Sequence, residues 1–137
     1  INASILYPND PKRRLEVVWL NEGSRSDVSV IAINGKSQWV APKGIRLGLQ
    51  IAALEKINGR PFKLSGFGSD GSASVTDWDG GALSSLPGGC KVGMRLFLDR
   101  KASEELRAAA DGEKEVLSND ASIRAVKPTV GEILIGY

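Results

Sequence analysis

The sequence predicts an α+β fold, in which about six strands form an antiparallel β-sheet and two short helices pack on it. Several short segments alternate apolar with other residues, as half-buried strands do. One longer segment instead repeats its apolar residues at the helical spacings of three and four. The chain has 137 residues, of which 42% are hydrophobic and 25% charged. This size and composition are typical of a single domain, here covering residues 1–137.

An extended arm is predicted at the N-terminus, over residues 1–13, because this segment is polar and contains Pro8 and Pro11. Apolar residues then alternate over residues 14–20. This period of two predicts the first strand of the sheet.

A β-hairpin is predicted immediately afterwards. Residues 28–33 and 36–40 both have strand-like composition, and Asn34-Gly35 lies between them. Asn-Gly favours a two-residue turn because both turn positions require positive φ angles.

The first helix is predicted from four apolar residues spaced by four and three: Leu47, Ile51, Leu54 and Ile57. Asn58 and Gly59 should end it, since glycine readily adopts the left-handed conformation that closes a helix. Pro61 cannot continue the helix. We expect the apolar stripe of this helix to lie across the sheet.

Both patterns continue to the C-terminus. Alternating apolar residues predict further strands, at residues 62–67, 73–78, 90–98, 123–126 and 132–135. A second short helix is predicted over residues 101–110, because this stretch is rich in Glu, Leu, Arg and Ala, and Gly112 follows it.

Charge and hydropathy narrow the choice of partners and location. The net charge of +2 is too small for the extended positive field that nucleic acid binding requires. No run of apolar residues is long enough to predict a transmembrane segment. The chain begins at Ile1 and not at Met, so a cleaved export signal is a reasonable hypothesis. It implies a periplasmic or secreted protein.

The residue types that most catalytic centres need are missing. There is no histidine, which most often serves as general base near neutral pH and as metal ligand. The single cysteine, Cys90, excludes an intrachain disulfide and is interpreted as a small buried apolar residue. No glycine-rich phosphate-binding motif occurs. We therefore predict no cofactor, and a function other than catalysis is favoured.

Five residues form a candidate binding surface. Asp70, Asp77 and Asp79 lie close in sequence, with Trp78 between two of these acids. Such carboxylates can hydrolyse glycosides or hold calcium, although acids beside glycines are also ordinary turn residues next to a buried indole. The fifth candidate is Trp39, whose ring can stack on a sugar or belong to an exposed patch that marks a partner site.

The segment 44–83 contains a recognisable series of features: Gly44-Ile-Arg-Leu-Gly-Leu, Ala53-Leu54-Glu55, Asn58-Gly59-Arg60-Pro61-Phe62, and Trp78 followed by Gly80 and Gly81. It resembles the helix–sheet unit of small bacterial envelope proteins related to the outer-membrane assembly lipoprotein and the β-lactamase inhibitory protein. Asn58 replaces the leucine that usually precedes the helix-ending glycine. The whole chain also resembles exported bacterial proteins of uncharacterised function.

The resemblance implies a protein that binds other proteins through the exposed face of its sheet and its loops. The leading hypothesis is accordingly a small exported bacterial domain that acts as a binding module, on an envelope protein or a cell-wall polymer. One alternative is a carboxylate-dependent enzyme acting on glycans. A second is a structural subunit that forms oligomers by pairing a large apolar sheet face with its copy.

Overall fold

The computed structural model describes residues 3–21, 26–68, 71–110 and 115–136. In this part of the chain the strands are β1 (Ala3–Leu6), β2 (Leu15–Asn21), β3 (Ser26–Asn34), β4 (Lys63–Leu64), β5 (Ser72–Asp77), β6 (Lys91–Phe97), β7 (Val116–Leu117) and β8 (Thr129–Gly136). The α-helices are α1 (Ile51–Asn58), α2 (Glu104–Ala110) and α3 (Ala121–Ala125).

All eight of these strands belong to one sheet, in the order β1-β2-β3-β8-β6-β5-β4-β7. Every neighbouring pair is antiparallel, which confirms the predicted α+β fold. The described residues contain eight strands and not about six, and three α-helices and not two. Part of the difference comes from β1, which lies within the predicted arm, and from β7, which has only two residues and is too short to show an alternating pattern.

Part of the N-terminal arm is a strand at the edge of the sheet. Residues 3–6 form β1, which pairs with β2 from Ala3 opposite Val18 to Leu6 opposite Leu15. Residues 3–6 are extended because β2 supplies their hydrogen-bonding partner, whereas the chain turns between Tyr7 and Arg13, where the N–H groups of Asp10 and Arg13 donate to the carbonyl oxygens of Tyr7 and Asp10.

The predicted hairpin is wrong, because residues 36–40 do not form a strand. Asn34 ends β3 and Gly35 turns the chain with a φ of 66°. However, β3 already pairs with β2 on one side and with β8 on the other. The segment after the turn has no free edge to join, and the backbone N–H of Gln38 instead donates to the carbonyl oxygen of Lys12 at 2.6 Å.

The strand predicted at residues 123–126 is also wrong, since residues 123–125 belong to α3 and Val126 caps the end of this helix. The Asp120 carboxylate caps the helix by accepting hydrogen bonds from the N–H of Ser122 at 2.9 Å and from its hydroxyl at 2.6 Å. Ile123 is buried in the core. Capping of the first free N–H groups therefore outweighs the β-branched composition of the segment.

This cap gives a testable pH dependence. The hydrogen bond from Ser122 holds the pKa of the Asp120 carboxyl below its ordinary value of 3.8. A lowered folded-state pKa means that the carboxylate stabilises the fold above the unfolded-state pKa, and that this stabilisation is lost as the pH falls through the folded-state pKa. We expect Asp120→Ala to lower the melting temperature near neutral pH, and the difference from wild type to shrink below pH 3.8.

Thermal melts of both proteins across this pH range measure the effect. Asp120→Asn is the matched control, because its amide oxygen still accepts a hydrogen bond but does not titrate in this range. A difference between wild type and Asp120→Ala that stays constant as the pH falls would contradict the assignment.

The apolar stripe of α1 packs against the sheet. Ile51 and Leu54 are buried and Ile57 packs against the same core, whereas Leu47 is half-buried in the segment before the helix. Gly59 ends α1 in the left-handed conformation, as predicted, with its N–H donating to the carbonyl oxygen of Glu55 at 2.8 Å. The glycine stop is confirmed, and so is the stripe for Ile51, Leu54 and Ile57, but the helix begins at Ile51 and does not include Leu47.

The three helices share one face of the sheet. Their buried residues belong to the same core as alternate residues of the central strands: Ile33, Val92, Met94, Leu96 and Ile133. Because side chains alternate along a strand, Gly93, Arg95 and Phe97 of β6 lie on the opposite face. We call this opposite face of the sheet the open face.

Candidate functional site

The two acids of the candidate surface that the structure describes form a turn after β5. Asp77 and Asp79 are both exposed. The Asp77 carboxylate accepts a hydrogen bond from the N–H of Asp79 at 2.8 Å, and the guanidinium of Arg60 donates to the carbonyl oxygen of Asp79 at 3.1 Å. Asp70 lies outside the described residues. Within the described ranges, no three acidic, cysteine or histidine side chains converge on a position that could hold a metal ion.

Trp78 lies between these acids in sequence but points into the core. Its side chain is buried, its Nε1–H donates to the carbonyl oxygen of Val92 at 3.0 Å, and its ring centroid lies 5.0 Å from that of Phe62. The arrangement is that of solvated acids beside a buried indole. A ligand that reaches Asp77 and Asp79 therefore does not meet the Trp78 ring, because the ring is buried.

Trp39 lies on a different part of the molecule and is exposed. Its relative exposure is 41%, compared with 60% for Val40 and 46% for Tyr7. The Nε1–H of Trp39 donates to the carbonyl oxygen of Arg13 at 2.7 Å, and the Arg13 guanidinium carbon lies 4.4 Å from the centroid of the Tyr7 ring. We call Tyr7, Arg13, Trp39 and Val40 the Trp39 surface.

The segment that carries Trp39 is held at both ends. Ser37 and Ala41 are buried, and the Ala41 N–H donates to the carbonyl oxygen of Ile45 at 2.7 Å. The backbone hydrogen bond from Gln38 to residue 12 fixes the segment against the chain that leads into β2. Trp39 and Val40 are therefore displayed between two anchored residues, and little conformational entropy remains to be lost when a partner covers them.

Arg13 is held by an ion pair at the border of the Trp39 surface. Its Nε donates to the Asp10 carboxylate at 2.8 Å. This hydrogen bond lowers the pKa of the Asp10 carboxyl below its ordinary value and raises the pKa of Arg13. Both groups are therefore charged near neutral pH, and the guanidinium stays over the Tyr7 ring, where a cation is attracted to the ring face.

The open face of the sheet has mixed chemistry. On this face Leu134 of β8 lies between its cross-strand neighbours Ala32 and Gly93. Two residues earlier in β8, Glu132 lies between Asn34 and Arg95. The middle of the open face therefore carries both apolar and charged residues.

The sequence indicated only one member of the Trp39 surface. Tyr7 and Arg13 are far from Trp39 along the chain. Arg13 contacts Trp39 because the chain before β2 lies beside residues 37–40, and Tyr7 lies against the Arg13 guanidinium. Tyr7 also adopts a positive φ of 53°, which is rare for a residue with a side chain and has no sequence signal here. Such a surface depends on the tertiary fold and has no local pattern.

Within the described ranges, no helix has both the length and the apolar composition that crossing a membrane requires. A scan against models of known protein families, a search of curated proteins and a search of solved structures each found no match to this chain. The Trp39 surface is therefore defined by its geometry alone.

Proposed function

We infer that this chain is a protein-interaction module of the bacterial cell envelope, and that the Trp39 surface contacts its partner. The observation that carries this inference is the display of Trp39, Val40 and Tyr7 on an anchored surface. We also propose that the protein is exported to the periplasm or the cell exterior. The resemblance of segment 44–83 to binding proteins of the envelope supports this proposal.

The composition of the surface supports binding to protein. Tryptophan, tyrosine and arginine are the residue types that most often dominate the binding energy of protein interfaces. Here one of each lies together with an exposed valine, and the Arg13 contacts hold both rings. Side chains fixed in this way present a large apolar area at low entropic cost, which favours binding without rearrangement.

The experiment that tests this function replaces Trp39. A quantitative pull-down from an envelope extract of the source bacterium identifies the partner, and titration of that purified partner measures the affinity. We expect Trp39→Ala to weaken binding roughly 30-fold or more, the loss typical of a central aromatic residue in an interface. The fold should persist, because the ring is not part of the core cluster.

Leu117→Ala is the matched control. Leu117 is similarly exposed, at 45%, but belongs to β7 at the far edge of the sheet. This variant should bind the partner as wild type does. Equal affinity of the wild-type and Trp39→Ala proteins for every captured partner would refute the assignment of the surface.

A further inference from the structure

A basic cleft adjoins the Trp39 surface. The cleft has a volume of about 540 Å³ and is lined by Gly35, Lys36, Ser37, Gln38, Arg46, Leu47 and Gly48. Ser37 and Gln38 directly precede Trp39 in the chain, so the cleft begins where the Trp39 surface ends. A partner that covers Trp39 therefore also comes close to the cleft.

The cleft carries two cations and no carboxylate. Lys36 and Arg46 are both exposed, and neither takes part in an ion pair with another described residue. Acidic residues are absent from the sequence between Asp27 and Glu55. The side chains that line the cleft thus create a local positive potential in a chain with a net charge of only +2.

The walls of the cleft leave room for an entering group. Gly35 and Gly48 have positive φ angles, and a Cβ atom at either position would meet no atom within 4 Å. Lys36 and Arg46 both line the cleft, so an acidic side chain that enters it meets two cations, and a guanidinium can give a carboxylate two parallel hydrogen bonds. Neither cation would first have to leave an internal partner.

We propose that the partner presents an acidic protein segment, in which an Asp or Glu side chain enters the basic cleft while a neighbouring apolar side chain covers Trp39 and Val40. This proposal deepens the proposed function and rests on it. Complementary charge sets orientation and association rate, and the aromatic contact supplies most of the affinity.

The test uses a displayed library of random dodecapeptides, selected on the wild-type protein. The selected peptides should be enriched in Asp and Glu beside large apolar residues. Their affinity should fall roughly tenfold for the double variant Lys36→Gln/Arg46→Gln and should weaken with added salt, because two exposed charge-assisted contacts are lost or screened. The control Arg100→Gln/Lys101→Gln removes one arginine and one lysine from the exposed loop before α2, and it should bind as wild type does.

The outcomes separate the two proposals. Selected peptides that lack acidic enrichment, or that bind Lys36→Gln/Arg46→Gln as well as wild type, would overturn the acidic partner. If the affinity of those same peptides still falls for Trp39→Ala, the Trp39 surface remains the binding surface and only its charge preference is wrong. A library that yields no peptide dependent on Trp39 would overturn both proposals.

Discussion

Leu54→Ala is expected to lower the free energy of unfolding by about 2–5 kcal/mol, the usual cost of truncating a fully buried leucine. Leu54 has no exposed surface and lies on the stripe of α1 that packs against the sheet. Shortening it removes apolar contacts and leaves a cavity between helix and sheet that rigid neighbours cannot fill completely. Urea denaturation monitored by circular dichroism measures this change.

Leu106→Ala serves as the control for this experiment. Leu106 lies in α2, and its side chain is exposed. Its truncation should change the free energy of unfolding by about 0.5 kcal/mol or less, as is usual for surface substitutions. Similar losses for the two variants would show that the stripe of α1 does not form the core described here.

Asn58→Leu is expected to lower the free energy of unfolding by about 2–6 kcal/mol. The substitution leaves the buried backbone groups of Trp78 and Leu83 without a hydrogen-bond partner, and each such unsatisfied group costs about 1–3 kcal/mol. The Asn58 side chain is buried at the end of α1. Its Nδ2 donates to the carbonyl oxygens of Arg60 and Trp78, at 3.1 and 3.0 Å, and its Oδ1 accepts from the N–H of Leu83 at 3.0 Å. A leucine can make none of these bonds.

Two further variants separate hydrogen bonding from size. Asn58→Asp has nearly the same shape but loses the Nδ2 donor and sets an oxygen against two carbonyl groups, so it should also be strongly destabilised. Asn119→Leu, at an exposed asparagine, should be nearly neutral. If Asn58→Leu proved as stable as wild type in urea denaturation, the network of Asn58 would not hold the end of α1 to the Trp78 turn.

Gly81 shows how closely this network is packed. A Cβ atom at position 81 would lie 2.3 Å from Oδ1 of Asn58, which is much closer than van der Waals contact. The glycine is therefore needed for space, since its own φ of −74° is open to any residue. The turn after Trp78 and the end of α1 therefore fit together because the turn has a glycine at position 81 and the helix has an amide side chain at position 58.

The features that could be predicted from sequence are those with a local physical cause. The stripe of α1 from Ile51 to Ile57, its glycine stop and the alternating burial in β6 all appear in the structure, and β2 and β8 form where strands were predicted. Apolar periodicity and the left-handed conformation of Gly59 act within a few residues. The chain therefore shows them before any tertiary contact is known.

The errors occurred where a tertiary interaction or a helix cap opposed the apolar pattern of the segment. Asn34-Gly35 does form a turn, but β8, from the other end of the chain, occupies the edge of β3 that a hairpin would need. At residues 121–125 the cap from Asp120 determines a helix despite a strand-like composition. The hydrogen bonds that Asn58 makes with Trp78 and Leu83, 20 and 25 residues further along the chain, likewise have no local sequence pattern.

The candidate site shows the same division. Trp39 could be selected from sequence as a residue of undecided exposure, but its neighbours Tyr7 and Arg13 could not, because long-range packing brings them together. The acidic group around Trp78 was visible in sequence as a cluster. The structure separates it into a buried indole and a solvated turn.

The most direct test of the proposed function is photocrosslinking in living cells of the organism that makes this protein. A photoreactive phenylalanine derivative placed at position 40, within the Trp39 surface, should form a crosslink to another protein. The same residue at position 117, at the far edge of the sheet, should form none. Crosslinks from position 117 alone, or from neither position, would contradict the claim that this chain binds a protein partner through its Trp39 surface.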